Sequence, residues 1–71
     1  MTLQATPALL NTLVLDAVAR GEWTPAEVTA AVASEVRTDR SAVVATLWTL
    51  VENGELRRCD CYGQLGFRLA S

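Results

Sequence analysis

Residues 39–56 read DRSAVVATLWTLVENGEL, and the change of rhythm inside this stretch decides the fold. Val43, Leu47, Leu50 and Val51 recur at helical spacing, so one face of a helix over about 40–53 is apolar. The short polar run Arg37-Thr38-Asp39-Arg40 precedes it, with Thr38 or Asp39 placed to cap the first amides. Asn53-Gly54 closes it, because glycine takes the left-handed backbone that ends a helix. Beyond Gly54 the period drops to two. Cys59 and Cys61 share one side of an extended segment, and Arg58 and Asp60 share the other.

Two further helices lie upstream. Thr6-Pro7 opens the first, over about 7–20, with threonine as cap and proline at the first helical position. Leu9, Leu10, Leu13, Val14, Ala17 and Val18 form its apolar stripe, and Gly21 stops it. Thr24-Pro25-Ala26-Glu27 is a capping box that opens the second, over about 25–36. Trp23 before the cap and Val28 at the fourth position have the spacing of a hydrophobic staple. Trp23 therefore reads as structural, with a ligand-stacking role as the alternative. Val28, Ala31, Val32 and Val36 form the buried stripe.

Downstream, residues 56–61 and 66–70 read as two strands joined by the loop Tyr62-Gly63-Gln64-Leu65-Gly66. Phe67 and Leu69 point one way and Arg68 the other. The expected architecture is mainly α with a small β-hairpin. A lone hairpin is marginal in water, so its apolar side must rest on the helices. The spacing places the two cysteines beside Phe67 and Leu69 as buried, reduced thiols; a redox sensor or a metal shared across a dimer is the alternative.

The chain has 71 residues, 51% hydrophobic and 20% charged. This is the composition of one globular domain, 1–71, rather than a disordered chain. A domain of this size buries only about 60% of the surface its unfolded chain exposes, so its stability is thin. No apolar run approaches the ~18 residues of a membrane span. Met1 to Leu10 has no basic segment of the signal-peptide kind. The expectation is a cytoplasmic protein, with two cysteines too few for a secreted disulfide framework.

Net charge is −2 and the pI is near 4.8, which argues against a strongly basic nucleic-acid binder. The distribution is more telling. Arg20 stands alone in the first half among Asp16, Glu22, Glu27 and Glu35. Arg37, Arg40, Arg57, Arg58 and Arg68 all fall in the second half, with Asp39, Glu52, Glu55 and Asp60. Every basic residue is arginine, whose planar fork grips phosphate and carboxylate better than lysine. GC-rich coding, as in actinobacteria and their phages, produces the same bias.

Residues 39–56 resemble the third helix of winged helix-turn-helix DNA-binding domains, in an apolar residue, Leu47-x-x-Leu50 and Gly54-x-Leu56 leading into a wing. The start of the second helix and Phe67-Arg68-Leu69 fit the same pattern, which extends over about residues 7–70. The resemblance implies that the third helix lies in the major groove and the wing touches the flanking backbone. Its groove-facing positions would be Arg40, Ser41, Val44, Ala45, Trp48 and Thr49, with Arg37 at the helix start. Its wing positions would be Arg57, Arg58, Gln64 and Arg68. Leu47-Trp48-Thr49-Leu50 is also similar to the aromatic-bearing helix of Z-DNA-binding domains. Val44 and Ala45 stand where that subfamily has an asparagine and a basic residue, so Z-DNA recognition is not implied.

The leading functional expectation is a small transcription regulator that binds double-stranded DNA. Its base-reading surface is poor, because direct readout prefers Arg, Lys, Asn or Gln at base edges. Trp48 has three readings: a groove residue, an anchor for a protein partner, or core packed under the wing. The second makes the domain a protein–protein interaction module, for instance a phage factor acting on a host protein. Leu9, Leu10, Leu13 and Val14 could pair two copies in a homodimer.

An enzyme is not expected. The chain has no histidine, the commonest general base and metal ligand. Cys59-x-Cys61 lacks a second pair to complete a zinc site. No phosphate-cradling glycine loop or nucleophile elbow is present. No catalytic residue, metal or cofactor is assigned.

Overall fold

The computed structural model describes residues 6–70, the Cys61 side chain excepted. Three helices, α1 (Pro7–Ala19), α2 (Pro25–Ala33) and α3 (Arg40–Glu52), precede two strands, β1 (Leu56–Cys61) and β2 (Gln64–Leu69). The strands pair antiparallel, from Leu56 opposite Leu69 to Cys61 opposite Gln64. Three helices followed by a hairpin are the winged helix-turn-helix arrangement.

The helix ends are set by local chemistry. The Leu9 amide donates to Thr6 Oγ1 at 3.1 Å, and the Ala42 amide to Asp39 Oδ1 at 2.8 Å. Asp39, not Thr38, caps α3. At α2 the Glu27 amide donates to Thr24 Oγ1 (3.2 Å), while Glu27 Oε1 accepts from the Thr24 amide (3.3 Å). This reciprocal box also draws in the Thr24 hydroxyl at 3.1 Å. α1 and α3 end alike. The Glu22 amide donates to Ala17 O and that of Gly21 to Val18 O; the Glu55 amide donates to Leu50 O and that of Gly54 to Val51 O. Both are Schellman closures, with Gly21 at φ 106° and Gly54 at φ 80°.

α2 stops at Ala33, three residues before the expected end. Ser34 is the cap, and the chain turns through Glu35. Val36 still reaches the core at 4% exposure. The apolar spacing thus outran the helix, because a last loose turn carries Val36 inward without continuing it.

The core joins Leu10, Val14, Ala17 and Val18 of α1, Val28 and Val32 of α2, Val36 of the link that follows, Val43, Leu47 and Leu50 of α3, and Leu56 and Phe67 of the hairpin. Leu9, Leu13, Leu15, Ala31 and Val51 pack at its margin.

The hairpin differs most from expectation. Its turn is two residues, Tyr62 and Gly63, not five, and β2 begins at Gln64. Tyr62 (φ 56°) and Gly63 (φ 74°) are both left-handed, as the tight turn matching strand twist requires. Gly66 lies inside β2, where a Cβ would collide with Trp23 Cε3 and Cζ3. It is the seat of the Trp23 ring, not a loop residue. The backbone is tied at the same place: the Phe67 amide donates to Trp23 O at 2.7 Å.

The register also corrects the placing of Cys59. Cys59 lies opposite Gly66, and Arg58 opposite Phe67. Cross-strand partners share a face, so Cys59 lies on the side away from Phe67 and Leu69. It is half-buried rather than buried. The Cys61 side chain is outside the described residues.

Two stability tests follow from these contacts. Gly66→Ala should cost about 1–3 kcal/mol by overpacking against Trp23, read as a lower urea midpoint. Hydrogen bonds from the Thr24 backbone, the Thr24 hydroxyl and the Trp23 backbone hold the Glu27 carboxyl below its ordinary value of 4.5. A lowered folded-state value stabilises above the ordinary value and is lost as pH falls through the folded one. Melting temperature should therefore drop below pH 4.5, and Glu27→Gln should flatten part of that drop.

Candidate nucleic-acid interface

α3 buries Val43, Thr46, Leu47 and Leu50. This turns Arg40, Ser41, Ala45, Trp48 and Thr49 to solvent, with Val44 half-buried. The expected outward face is accessible rather than sealed under the hairpin. Glu52 is exposed one turn beyond Trp48.

Trp48 combines two of its three readings. It is 36% exposed, yet its ring meets Phe67 edge-on, with centroids 5.4 Å apart and planes at 81°. The indole thus braces the hairpin while keeping one surface open. Thr49 has less to offer a ligand than its position suggests, because its hydroxyl donates back to Ala45 O at 2.9 Å. The Asp39 carboxylate occupies the α3 terminus, so its negative charge opposes any phosphate drawn there by the helix dipole.

Arg37, Arg40, Arg57, Arg58 and Arg68 are all exposed. Among the described residues the only ion pair is Arg20 with Asp16, at 3.3 Å within α1. The other five arginines have no carboxylate partner among them. Arg57 and Arg68 stand directly opposite each other across the hairpin. Opposed like charges destabilise an antiparallel pair. Arg57, Arg58, Cys59, Arg68 and Leu69 line a hollow of about 340 Å³. Gln64 is exposed next to the turn.

Two exposed residues went unnoticed in the sequence. Tyr62 at the turn is 99% exposed and Leu65 in β2 is 39% exposed. The sequence pattern puts both in a loop, where exposure carries no signal; only the short turn places them on the hairpin proper. Of the four α1 residues expected between copies, Leu10 and Val14 belong to the core, leaving Leu9 and Leu13 with accessible surface.

Among the described residues, no three His, Cys, Asp or Glu side chains gather as a metal site. No helix among them is long and apolar enough to cross a membrane. Neither the known protein families nor the curated protein sequences contain a match to the chain.

The half-packed Trp48 makes a measurable difference. Trp48→Ala should cost about 1–2 kcal/mol, the loss of an aromatic pair and partial burial, against about 3–5 kcal/mol for a core aromatic. Urea unfolding separates these outcomes, and a cost near zero would remove the Phe67 contact from the account.

Proposed function

We propose that the domain is a small DNA-binding regulator of transcription, laying α3 in the major groove and holding the flanking phosphates with arginines from α3 and the hairpin. The observation that carries this reading is the arginine set. The five arginines without an ion pair among the described residues all lie at the α3 start or on the hairpin. Unneutralised guanidinium groups beside an accessible helix suit a polyanion, and phosphate contacts supply most nonspecific affinity. The acidic pI comes from residues 1–35, where four carboxylates face one arginine; residues 36–71 carry five arginines against four carboxylates.

Sequence discrimination on this reading is weak. Ser41 is the one free hydroxyl on the outward face, and Val44, Ala45 and Trp48 supply only apolar contact, which suits a thymine methyl. Two copies joined along Leu9 and Leu13 would double the arginine set over two half-sites.

Trp48 favours a second reading, a protein-interaction module. An accessible tryptophan among small residues has the composition of an interface anchor.

Anisotropy titration of labelled duplex at several salt concentrations tests the first reading. Arg40→Ala and Arg57→Ala should each weaken binding to all sequences alike and lower the salt slope by about one. No binding at low salt, or unchanged binding by both variants, would refute it. Partner capture lost in Trp48→Ala alone would support the second reading.

A further inference from the structure

The outer face of the hairpin carries a second arrangement, distinct from α3. A recess of about 210 Å³ is lined by Trp23, Cys59, Tyr62 and Arg68. The arginine-lined hollow of about 340 Å³ adjoins it, sharing Cys59 and Arg68. An aromatic slot thus runs into a cationic one. We propose that this face binds a nucleotide with an unstacked base, the base between Trp23 and Tyr62 and the phosphate at Arg57 and Arg68.

Each part of the site has its own physical reason. The Trp23 ring is seated on Gly66, and its backbone is bonded to Phe67, so it is a fixed platform. Arg68 lies two residues along the same strand face, about 7 Å away. Arg57 and Arg68 oppose each other, and neither has an ion pair among the described residues. A phosphate accepting from both forks turns that repulsion into two charge-assisted hydrogen bonds.

Tyr62 is the most telling residue. It occupies a left-handed position (φ 56°) where Asn or Gly is the favoured choice. It is 99% exposed, so burial of its ring does not offset that strain. A bulky residue held at positive φ and open to solvent points to a use outside folding.

Bases in a duplex stay stacked and do not enter the slot. The ligand is a free nucleotide or a single-stranded segment, which share base and phosphate. The site shares Arg57 and Arg68 with the duplex reading but does not depend on α3.

The test is a ¹⁵N NMR titration of the whole chain with adenosine monophosphate, adenosine, inorganic phosphate and a five-nucleotide single strand. The nucleotide should move the Trp23 indole and Gly66 amide signals and leave the Trp48 indole in place. Adenosine or phosphate alone should bind at least about tenfold more weakly, since each fills half of the site. A pentanucleotide tighter than the mononucleotide identifies a strand as the ligand; equal affinity identifies a free nucleotide. Tyr62→Asn, which suits the turn, should keep or raise stability and weaken binding by about tenfold, the worth of one base–aromatic stack. Arg40→Ala tests the duplex reading without touching this site, so the two can fail separately. Still signals at Trp23 and Gly66, shifts centred on Trp48, or unchanged binding by Tyr62→Asn would overturn the proposal.

Discussion

The hairpin depends on Trp23. Two strands alone do not hold together in water, and burial of Leu56 and Phe67 is worth about 1.5–3 kcal/mol each only if the hairpin is seated at one angle. Trp23 sets that angle. Its carbonyl accepts from the Phe67 amide at 2.7 Å, and its ring fills the space a side chain at Gly66 would need. The same residue precedes the α2 cap, and its amide, like that of Thr24, donates to the Glu27 carboxylate. One tryptophan therefore fixes the start of a helix and the middle of a strand. On the opposite side Trp48 meets Phe67 edge-on, so the hairpin is held from both faces.

What was legible in the sequence follows from how far each interaction reaches along the chain. Helix starts depend on residues three apart, such as Thr6 with Leu9 and Thr24 with Glu27. Both Schellman ends depend on a glycine and carbonyls at most five residues back. These could be read directly. The hairpin could not, because the meaning of Gly66 depends on Trp23, which is distant in sequence. Taken as a turn glycine, Gly66 lengthens the loop to five residues. That pairs Cys61 with Phe67 in place of Gln64, a shift by an odd number of residues, which moves a strand's side chains to the other face. The misplaced Cys59 and the misread loop are thus one error.

The candidate site was legible as composition but not as arrangement. The crowding of arginines into the second half was plain. Whether Asp39, Glu55 and Asp60 neutralise them depends on side-chain directions that no spacing rule gives. Asp39 is engaged with the Ala42 amide instead. Trp48 was ambiguous for a similar reason: helical spacing places it between the buried and the open face, and only the seating of Phe67 decides how much of the ring is covered.

Most of this chain is locally consistent: caps, stops and stripes agree with the elements they occupy, as a small core with little stability to spare requires. Three departures stand against that background. Arg57 and Arg68 repel across a strand pair, Tyr62 holds a glycine-like backbone in full exposure, and Trp48 leaves a third of its surface open. The first two have simple replacements that would stabilise the domain, a carboxylate opposite an arginine and an asparagine at the turn; Trp48 braces Phe67, but its open surface adds nothing to that contact. A sequence that obeys local rules elsewhere and breaks them on its outward surfaces is shaped there by something other than stability. On the hairpin's outer face an arginine stands beside aromatic rings, and that local chemistry suits a nucleic acid component whatever the acidic balance of the whole chain.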